Sequence, residues 1–129
     1  MRDVFARAYA GDGKPRSRPF AVSVRANEQD YPELTRLADG TYALAWEDDI
    51  AMFDFVNVRR LSEDLTQLGP TLQLCERPEE FLKAHNHAKV AAFREGFVAV
   101  WTDTRRSQGS DVYWKVVGAR FDARGARGK

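Results

Sequence analysis

The sequence predicts an all-β fold that is built from a repeated unit. Residues 32–46 return at 88–101 with one residue fewer, and both copies end in Trp. Each Trp is followed by an acidic stretch and then by an Asp among β-forming residues, first at Asp54 and again at Asp111. A period of 50–57 residues made of short strands is typical of β-propellers and related β-arrays. We therefore expect propeller-like blades of four antiparallel strands, about two blades in 129 residues.

The spacing between the copies indicates where the repeat tolerates changes of length. Asp3 and Asp54 are 51 residues apart. Trp46 and Trp101 are 55 apart, and Asp54 and Asp111 are 57 apart. All the differences fall in predicted loops, where insertions cost little free energy. This alignment makes Asp111 the counterpart of Asp54.

Alternating apolar residues and turn residues place the individual strands. Asp39-Gly40 predicts a type I′ hairpin turn because Gly tolerates positive φ, and Glu95-Gly96 repeats it. Pro78–His85 is predicted to be a short helix, since Pro favours the first helical position and acidic residues follow it. Nine strands are predicted, at 4–9, 20–24, 34–37, 42–46, 53–59, 71–75, 90–93, 97–101 and 112–121.

The order of these strands predicts incomplete blades at both ends of the chain. Because propellers typically have 4–8 blades, two blades cannot close a ring. We expect either assembly with further copies of the chain or a place within a longer propeller. The first two strands of the last blade could pair with the amino-terminal pair, while the ninth strand duplicates the first. The expected divisions are a partial blade at 3–31, a full blade at 32–76, a loop insertion at 77–87, a partial blade at 88–122 and a solvated basic tail at 123–129.

Composition excludes several classes of protein. With 20 basic and 19 acidic residues the net charge is +1, which argues against a dedicated nucleic-acid-binding protein. No apolar run approaches 18 residues, so we expect no membrane span. The opening residues show no apolar region of a signal peptide, and the single cysteine, Cys75, excludes an internal disulfide.

The blade pattern resembles a known group of proteins. An apolar strand, an Asp-Gly or Glu-Gly turn, a run ending in Trp and an Asp-led strand are similar to one blade of bacterial β-propellers. Such repeats occur in secreted surface proteins and, more distantly, in sialidase-like propellers; segment 101–106 with Asp111-Val112-Tyr113 is the closest match. The resemblance implies an extracellular or cell-surface location. The Asp-box Ser-x-Asp-x-Gly-x-x-Trp and the Arg-Ile-Pro segment of sialidases are absent, so no catalytic residue is carried over.

Aromatic residues near the end of the chain are the candidate ligand-binding residues. Trp114 aligns with Asn57 and is therefore specific to the last strand, beside Tyr113. An exposed aromatic face there would suit stacking on a glycan or docking of a protein. Arg105 and Asp103, in the matching segment, complete the candidate site. The two repeated Trp residues are instead expected to pack in the core.

Acidic and histidine residues leave two metal interpretations open. The stretch Glu47-Asp48-Asp49, Asp54 and their counterparts Asp103 and Asp111 could bind Ca²⁺ through oxygen atoms. Their recurrence favours a structural role in tight turns, where Asp accepts backbone hydrogen bonds. His85-Asn86-His87 supplies two imidazoles but no third ligand at a defining spacing, so we predict no metal site.

The sequence thus favours a non-catalytic β-propeller module for binding or scaffolding, with a glycan or protein ligand. The alternative is a sialidase-like glycoside hydrolase, as a fragment or as a subunit completed by oligomerisation. A third interpretation is a structural fragment with no ligand of its own. We expect no cofactor apart from the Ca²⁺ alternative, and no catalytic residues.

Overall fold

The computed structural model describes residues 2–50, 53–74, 83–106 and 112–128. These residues form an all-β structure with antiparallel strands and no helix, as the sequence predicts. The strands make a two-stranded sheet, a four-stranded sheet and a three-stranded sheet, in chain order. The first sheet contains β1 (Val4–Ala6) and β2 (Phe20–Ser23); the second contains β3 (Glu28–Arg36), β4 (Tyr42–Ile50), β5 (Phe53–Leu61) and β6 (Leu72–Gln73); the third contains β7 (Lys83–Phe93), β8 (Gly96–Arg106) and β9 (Val112–Phe121).

The strands of the central hairpins are longer than the sequence indicates. The acidic stretch 47–49 was expected to be a loop, but it belongs to β4, where Asp49 pairs with Asp54 of β5. Thr102–Arg106 likewise belongs to β8 and pairs with β9. The reason is that a continued ladder satisfies every backbone N–H and C=O group, which outweighs the weak strand propensity of acidic side chains.

The predicted helix is wrong over the part that the structure describes. Lys83–His85 is the start of β7, and His85 pairs with Asp103 of β8. The remainder, 78–82, lies outside the described residues. The long partner strand β8 provides the ladder that overrides the local helix signals. The predicted insertion at 77–87 is therefore a strand from Lys83 onward.

A bulge interrupts the first strand of both larger sheets at the same place. The pairing shifts between Asp30 and Glu33 in β3 and between Asn86 and Lys89 in β7. Tyr31 and His87, within the two bulges, have φ values of 48° and 56°. Positive φ is uncommon outside Gly, so its recurrence marks a structural feature of the repeat.

The two hairpin glycines have different roles. At the first hairpin only Gly40 has positive φ, at 84°, and its N–H bonds to the carbonyl of Leu37. This is a type I turn followed by a left-handed Gly, and the type I′ prediction is wrong. At the second hairpin, Gly96 lies in β8, and a Cβ there would be 2.0 Å from the carbonyl oxygen of Phe121. Gly96 is required for close approach of two backbones.

The same turn follows three equivalent strands. It spans 10–13 after β1, 62–65 after β5 and 122–125 after β9, each with an N–H bonded to the carbonyl three residues before. Each turn is closed by one bridge, Tyr9 to Pro15, Leu61 to Gln67 and Phe121 to Arg127. Residues 123–128 were predicted to be a solvated tail, but they form the third copy of this turn. Gly125 is buried in it against Arg60.

Strand pairing corrects the alignment of the last strand. Trp46 pairs with Asn57, whereas Trp101 pairs with Val117. Asn57 is therefore equivalent to Val117 and not to Trp114. Counting back along the strands makes Val56 equivalent to Val116, and Asp54 equivalent to Trp114. The alignment of Asp54 with Asp111 made from the sequence is therefore not the one that strand pairing gives.

The sheets stack face to face in a row. One apolar cluster lies between the first and second sheets and includes Val4, Trp46 and Leu61. The other lies between the second and third sheets and includes Val56 and Trp101. The second sheet is therefore covered on both faces. Within the described ranges, β1 pairs only with β2 and β8 only with β7 and β9, so the anticipated pairing of chain ends is not formed.

Candidate interaction surfaces

The third sheet has one buried face and one exposed face. Phe97, Ala99 and Trp101 of β8 pack against the second sheet. Because side chains alternate along a strand, the residues between them project from the other side. We call this side the open face; strand pairing places on it the apolar residues Ala91, Phe93, Val98, Val100, Trp114 and Val116, together with the polar residues Lys89, Thr102 and Arg120.

The open face is equivalent to a face that is fully covered elsewhere in the chain. Val116 is 81% exposed, whereas the equivalent Val56 in the second sheet is 0% exposed because the third sheet covers it. Val100 is exposed, while its equivalent Ala45 is buried. The second sheet thus shows what normally packs on this face, which is another sheet of the same repeat.

The four sequence-predicted ligand-binding residues do not all share one face. Trp114 is 62% exposed on the open face and pairs with Thr104. Asp103 is 3% exposed, on the opposite face beside Trp101. Arg105 pairs with Tyr113, but their side chains lie outside the described part of the structure. A ligand stacked on Trp114 could not contact Asp103.

A cavity of about 780 Å³ lies between the first and second sheets. Its walls include Tyr9 and Arg7 after β1, Leu34 and Arg36 of β3, and Tyr42 at the start of β4. Leu34 is 49% exposed in this cavity. The pattern of apolar, aromatic and arginine side chains suits a polypeptide, which offers both apolar surface and carbonyl acceptors.

The cavity exists because the first sheet has only two strands among the described residues. Strand pairing makes Val90 of β7 the equivalent of Leu34, and Phe97 of β8 the equivalent of Tyr42. Both equivalents pack in the core between the second and third sheets. In the first sheet, no described strand occupies the corresponding place beyond β1, and Leu34 and Tyr42 are left partly uncovered.

Two of the arginines that line the cavity, Arg7 and Arg36, contact neighbouring residues. The Nε of Arg7 donates to the carbonyl of Ser17 at 3.0 Å, and its guanidinium lies 5.4 Å from the Tyr9 ring centroid. Arg36 lies 3.6 Å from a carboxylate oxygen of Glu63. Of these contacts, only the one between Arg36 and Glu63 balances charge, because the Arg7 contacts are to neutral groups; Arg16 and Asp64 also line the cavity.

A buried polar cluster joins the first and second sheets at the carboxyl-terminal half of β4, beyond Trp46. Asp48 is buried, and its Oδ2 accepts hydrogen bonds from Asn57 Nδ2 at 2.9 Å and Arg25 Nη1 at 3.2 Å. Arg25 lies in the link between β2 and β3 and therefore ties the two sheets together. Burial raises the pKa of the Asp48 carboxyl, and the Arg25 charge opposes this.

Two neighbouring carboxylates also have raised pKa values. Burial raises the pKa of Glu47, against a hydrogen bond that its carboxylate accepts from the His87 N–H. Burial raises the pKa of Asp54, and the charges of Asp49 and Asp30 raise it further. The hydrogen bond between Glu47 and His87 connects the second sheet to the bulge of β7, which is a structural role.

The turn interpretation of the recurring acidic residues needs correction. Asp48 and Asp103 lie within strands and are buried, so they do not hold tight turns. That role belongs to Asp39 and Asp64, whose carboxylates accept the N–H two residues ahead at 3.0 and 3.3 Å. Hydrogen bonds from the Thr41 hydroxyl to Asp39 and from the Ser62 and Thr66 hydroxyls to Asp64 lower the pKa of both carboxyls most, and the backbone bonds lower it further. A buried Asp in a strand and an Asp in a turn look alike in the sequence, because burial by a neighbouring sheet leaves no local signal.

The part of the chain that the structure describes contains neither a group of side chains arranged to hold a metal ion nor a helix that could span a membrane. No three His, Cys, Asp or Glu side chains there are arranged to hold a metal ion. The His85 side chain and Asp111 lie outside that part, and the Ca²⁺ interpretation stays a prediction. In the same ranges no helix is long and apolar enough to cross a membrane.

Apart from Trp114, the residues of the open face and the cavity are not among the predicted site residues. Val100, Val116 and Leu34 look like ordinary strand residues in the sequence, and only their uncovered state distinguishes them. The equivalence of Val116 and Val56 follows only when the residue that pairs with each repeated Trp is known. The sequence does not show which residues pair across the strands. Comparison of the chain with protein-family models, curated proteins and solved structures finds no match.

Proposed function

We propose that this chain is a non-catalytic scaffolding module of propeller-like blades, and that its open face docks a further blade of the same kind. The observation that carries the proposal is the contrast between Val116 and Val56, which occupy equivalent places and differ only in whether a sheet covers them. Exposed apolar patches of this kind mark interaction sites.

The chemistry of the open face favours a protein over a glycan. Val98, Val100 and Val116 offer no hydrogen bond to sugar hydroxyl groups, and only Lys89, Thr102 and Arg120 among the described side chains of this face could do so. Burying one such valine stabilises a contact by roughly 1.5 kcal/mol or more. An aliphatic surface with two large aromatic side chains, Phe93 and Trp114, resembles the apolar core of a protein interface, and polar residues are typical of its rim.

The same surface explains how the module can act without catalytic residues. Sheets in this chain pack in a row, so each added sheet leaves a new face for the next one. A row of this type either closes into a ring or continues, and both outcomes give a scaffold. The glycoside hydrolase alternative stays a prediction from the resemblance, since no observation in the described residues favours it.

The mass of the purified chain in solution tests the proposal. We expect light scattering to show species heavier than one chain, increasing with protein concentration. Val100→Asp places a charge in the open face, so this variant should remain at the mass of one chain. Leu68→Asp is the matched control, because Leu68 is also exposed but lies on neither the open face nor the cavity.

Circular dichroism of each variant checks that the strands are retained. A wild-type chain that stays at the mass of one copy up to its solubility limit would overturn the proposal. So would a folded Val100→Asp variant that associates as strongly as the wild type.

A further inference from the structure

We infer that the third sheet of one copy and the first sheet of a second copy complete one four-stranded blade, with the open face of the first copy seated in the cavity of the second. The inference rests on the proposed function and names the partner as a second copy of this chain. The contact is head to tail, because it joins two different surfaces.

The first step is the strand inventory of the two incomplete sheets. Strand pairing and the shared turns make β7, β8 and β9 equivalent to β3, β4 and β5. The same turn makes β1 equivalent to β5, and β2 pairs with β1 as β6 pairs with β5. The third sheet therefore lacks a counterpart of β6 among the described strands, and the first sheet lacks counterparts of β3 and β4. Each sheet contains what the other lacks.

The second step is the match between the uncovered surfaces. In the chain, the face of the second sheet that contains Ala45 and Val56 packs on the face of the third sheet that contains Trp101. The open face of the third sheet is the equivalent of the Ala45 and Val56 face of the second sheet. The cavity wall at Leu34 and Tyr42 belongs to the side of the second sheet that contains Trp46. That side is equivalent to the Trp101 face of the third sheet. The joint would therefore repeat a contact that the chain already makes.

The third step concerns the duplicated strand. β1 and β9 are both equivalents of β5, so one of them leaves the completed blade. β9 pairs with β8 over ten residues, whereas β1 pairs with β2 over three. The shorter ladder has fewer hydrogen bonds to lose, so β1 gives way and β2 pairs with the free edge of β9. Val116 of one copy then takes the place of Val4 of the other, against Trp46.

The completed blade also removes an unpaired strand edge. In the described structure β9 pairs on one side only, with β8. Unpaired edges promote uncontrolled association, and proteins cover them with another strand or protect them. Pairing with β2 of the next copy covers this edge in a single register, because the apolar face must point toward the second sheet.

Two variants and their mixture test the head-to-tail geometry. Val100→Asp damages the open face, and Leu34→Asp damages the cavity; each alone should weaken association by at least about 100-fold. An equimolar mixture retains one intact cavity and one intact open face. We therefore expect the mixture to form a complex of two chains and nothing larger, measured by light scattering or sedimentation.

Controls separate this inference from the proposed function. Ala91→Asp, at another exposed place on the open face, replaces Val100→Asp should that variant fail to fold. Leu68→Asp should associate like the wild type. If open-face variants prevent association while Leu34→Asp does not, the open faces pack on each other, and the head-to-tail inference is overturned while the docking function stands. If neither substitution changes association, or the mixture stays at the mass of one chain, the inference is also overturned.

Discussion

The equivalence of Val56 and Val116 makes a quantitative prediction about stability. The same substitution, Val→Ala, is made at both places and compared at a protein concentration low enough to keep the chain monomeric. Val56 is buried between the second and third sheets, whereas Val116 is on the open face. The unfolded chain loses the same side-chain atoms in both variants, so effects on the unfolded state largely cancel.

The magnitude follows from what each side chain contacts. Val56→Ala removes two buried methyl groups, worth about 1.6 kcal/mol of transfer free energy. The space left behind adds about 1 kcal/mol, because well-packed sheets relax only in part. The free energy of unfolding should therefore fall by roughly 2–3 kcal/mol. Val116→Ala should lower it by about 0.5 kcal/mol or less, since only strand propensity is lost.

Urea denaturation followed by tryptophan fluorescence measures both free energies. Thermal unfolding gives a second measure, with a decrease of about 10 °C in Tm for Val56→Ala and about 2 °C for Val116→Ala. Equal losses at the two places would refute the assignment of the open face. A large loss at Val116 alone would mean that the register of β9 differs from the one described.

Two further predictions concern single residues. Gly96→Ala should destabilise the fold by more than about 2 kcal/mol, because the new Cβ would meet the Phe121 carbonyl at 2.0 Å. Gly11→Ala is the control, since a Cβ at Gly11 would have nothing within 4 Å. Equal Tm values for the two variants would contradict the close approach at Gly96. Asp48→Asn should flatten the pH dependence of the free energy of unfolding on the acid side of neutrality. Burial raises the pKa of Asp48 in the folded chain, so its contribution to stability falls as pH rises from its unfolded pKa through its folded pKa. The Asn variant cannot titrate at this position and lacks that fall. Urea denaturation at several pH values measures the slope, and an unchanged slope would mean that the Asp48 carboxyl titrates alike in the folded and unfolded chain.

The candidate surfaces show where inference from the sequence stopped. Trp114 is singled out in the sequence by its alignment with Asn57, but strand pairing makes it equivalent to Asp54, and its exposure comes from the uncovered face of the third sheet. Asp103 could not be recognised as buried, because its neighbours in sequence are polar and its burial comes from the second sheet. The cavity at Leu34 was also invisible, since an uncovered apolar residue and a covered one have the same sequence pattern.

By itself, the sequence determined the all-β class, the approximate place of the nine strands found among the described residues, and the repeat that relates them. These properties depend on alternation and turn residues, which act over a few positions along the chain. Only the tertiary structure decided the lengths of the hairpins, the register of β9 and the turn at 122–125. Register depends on which residues face each other across strands, and a slip between copies leaves the local pattern unchanged. Packing of the third sheet on the second selects one register, and the same packing leaves the open face uncovered.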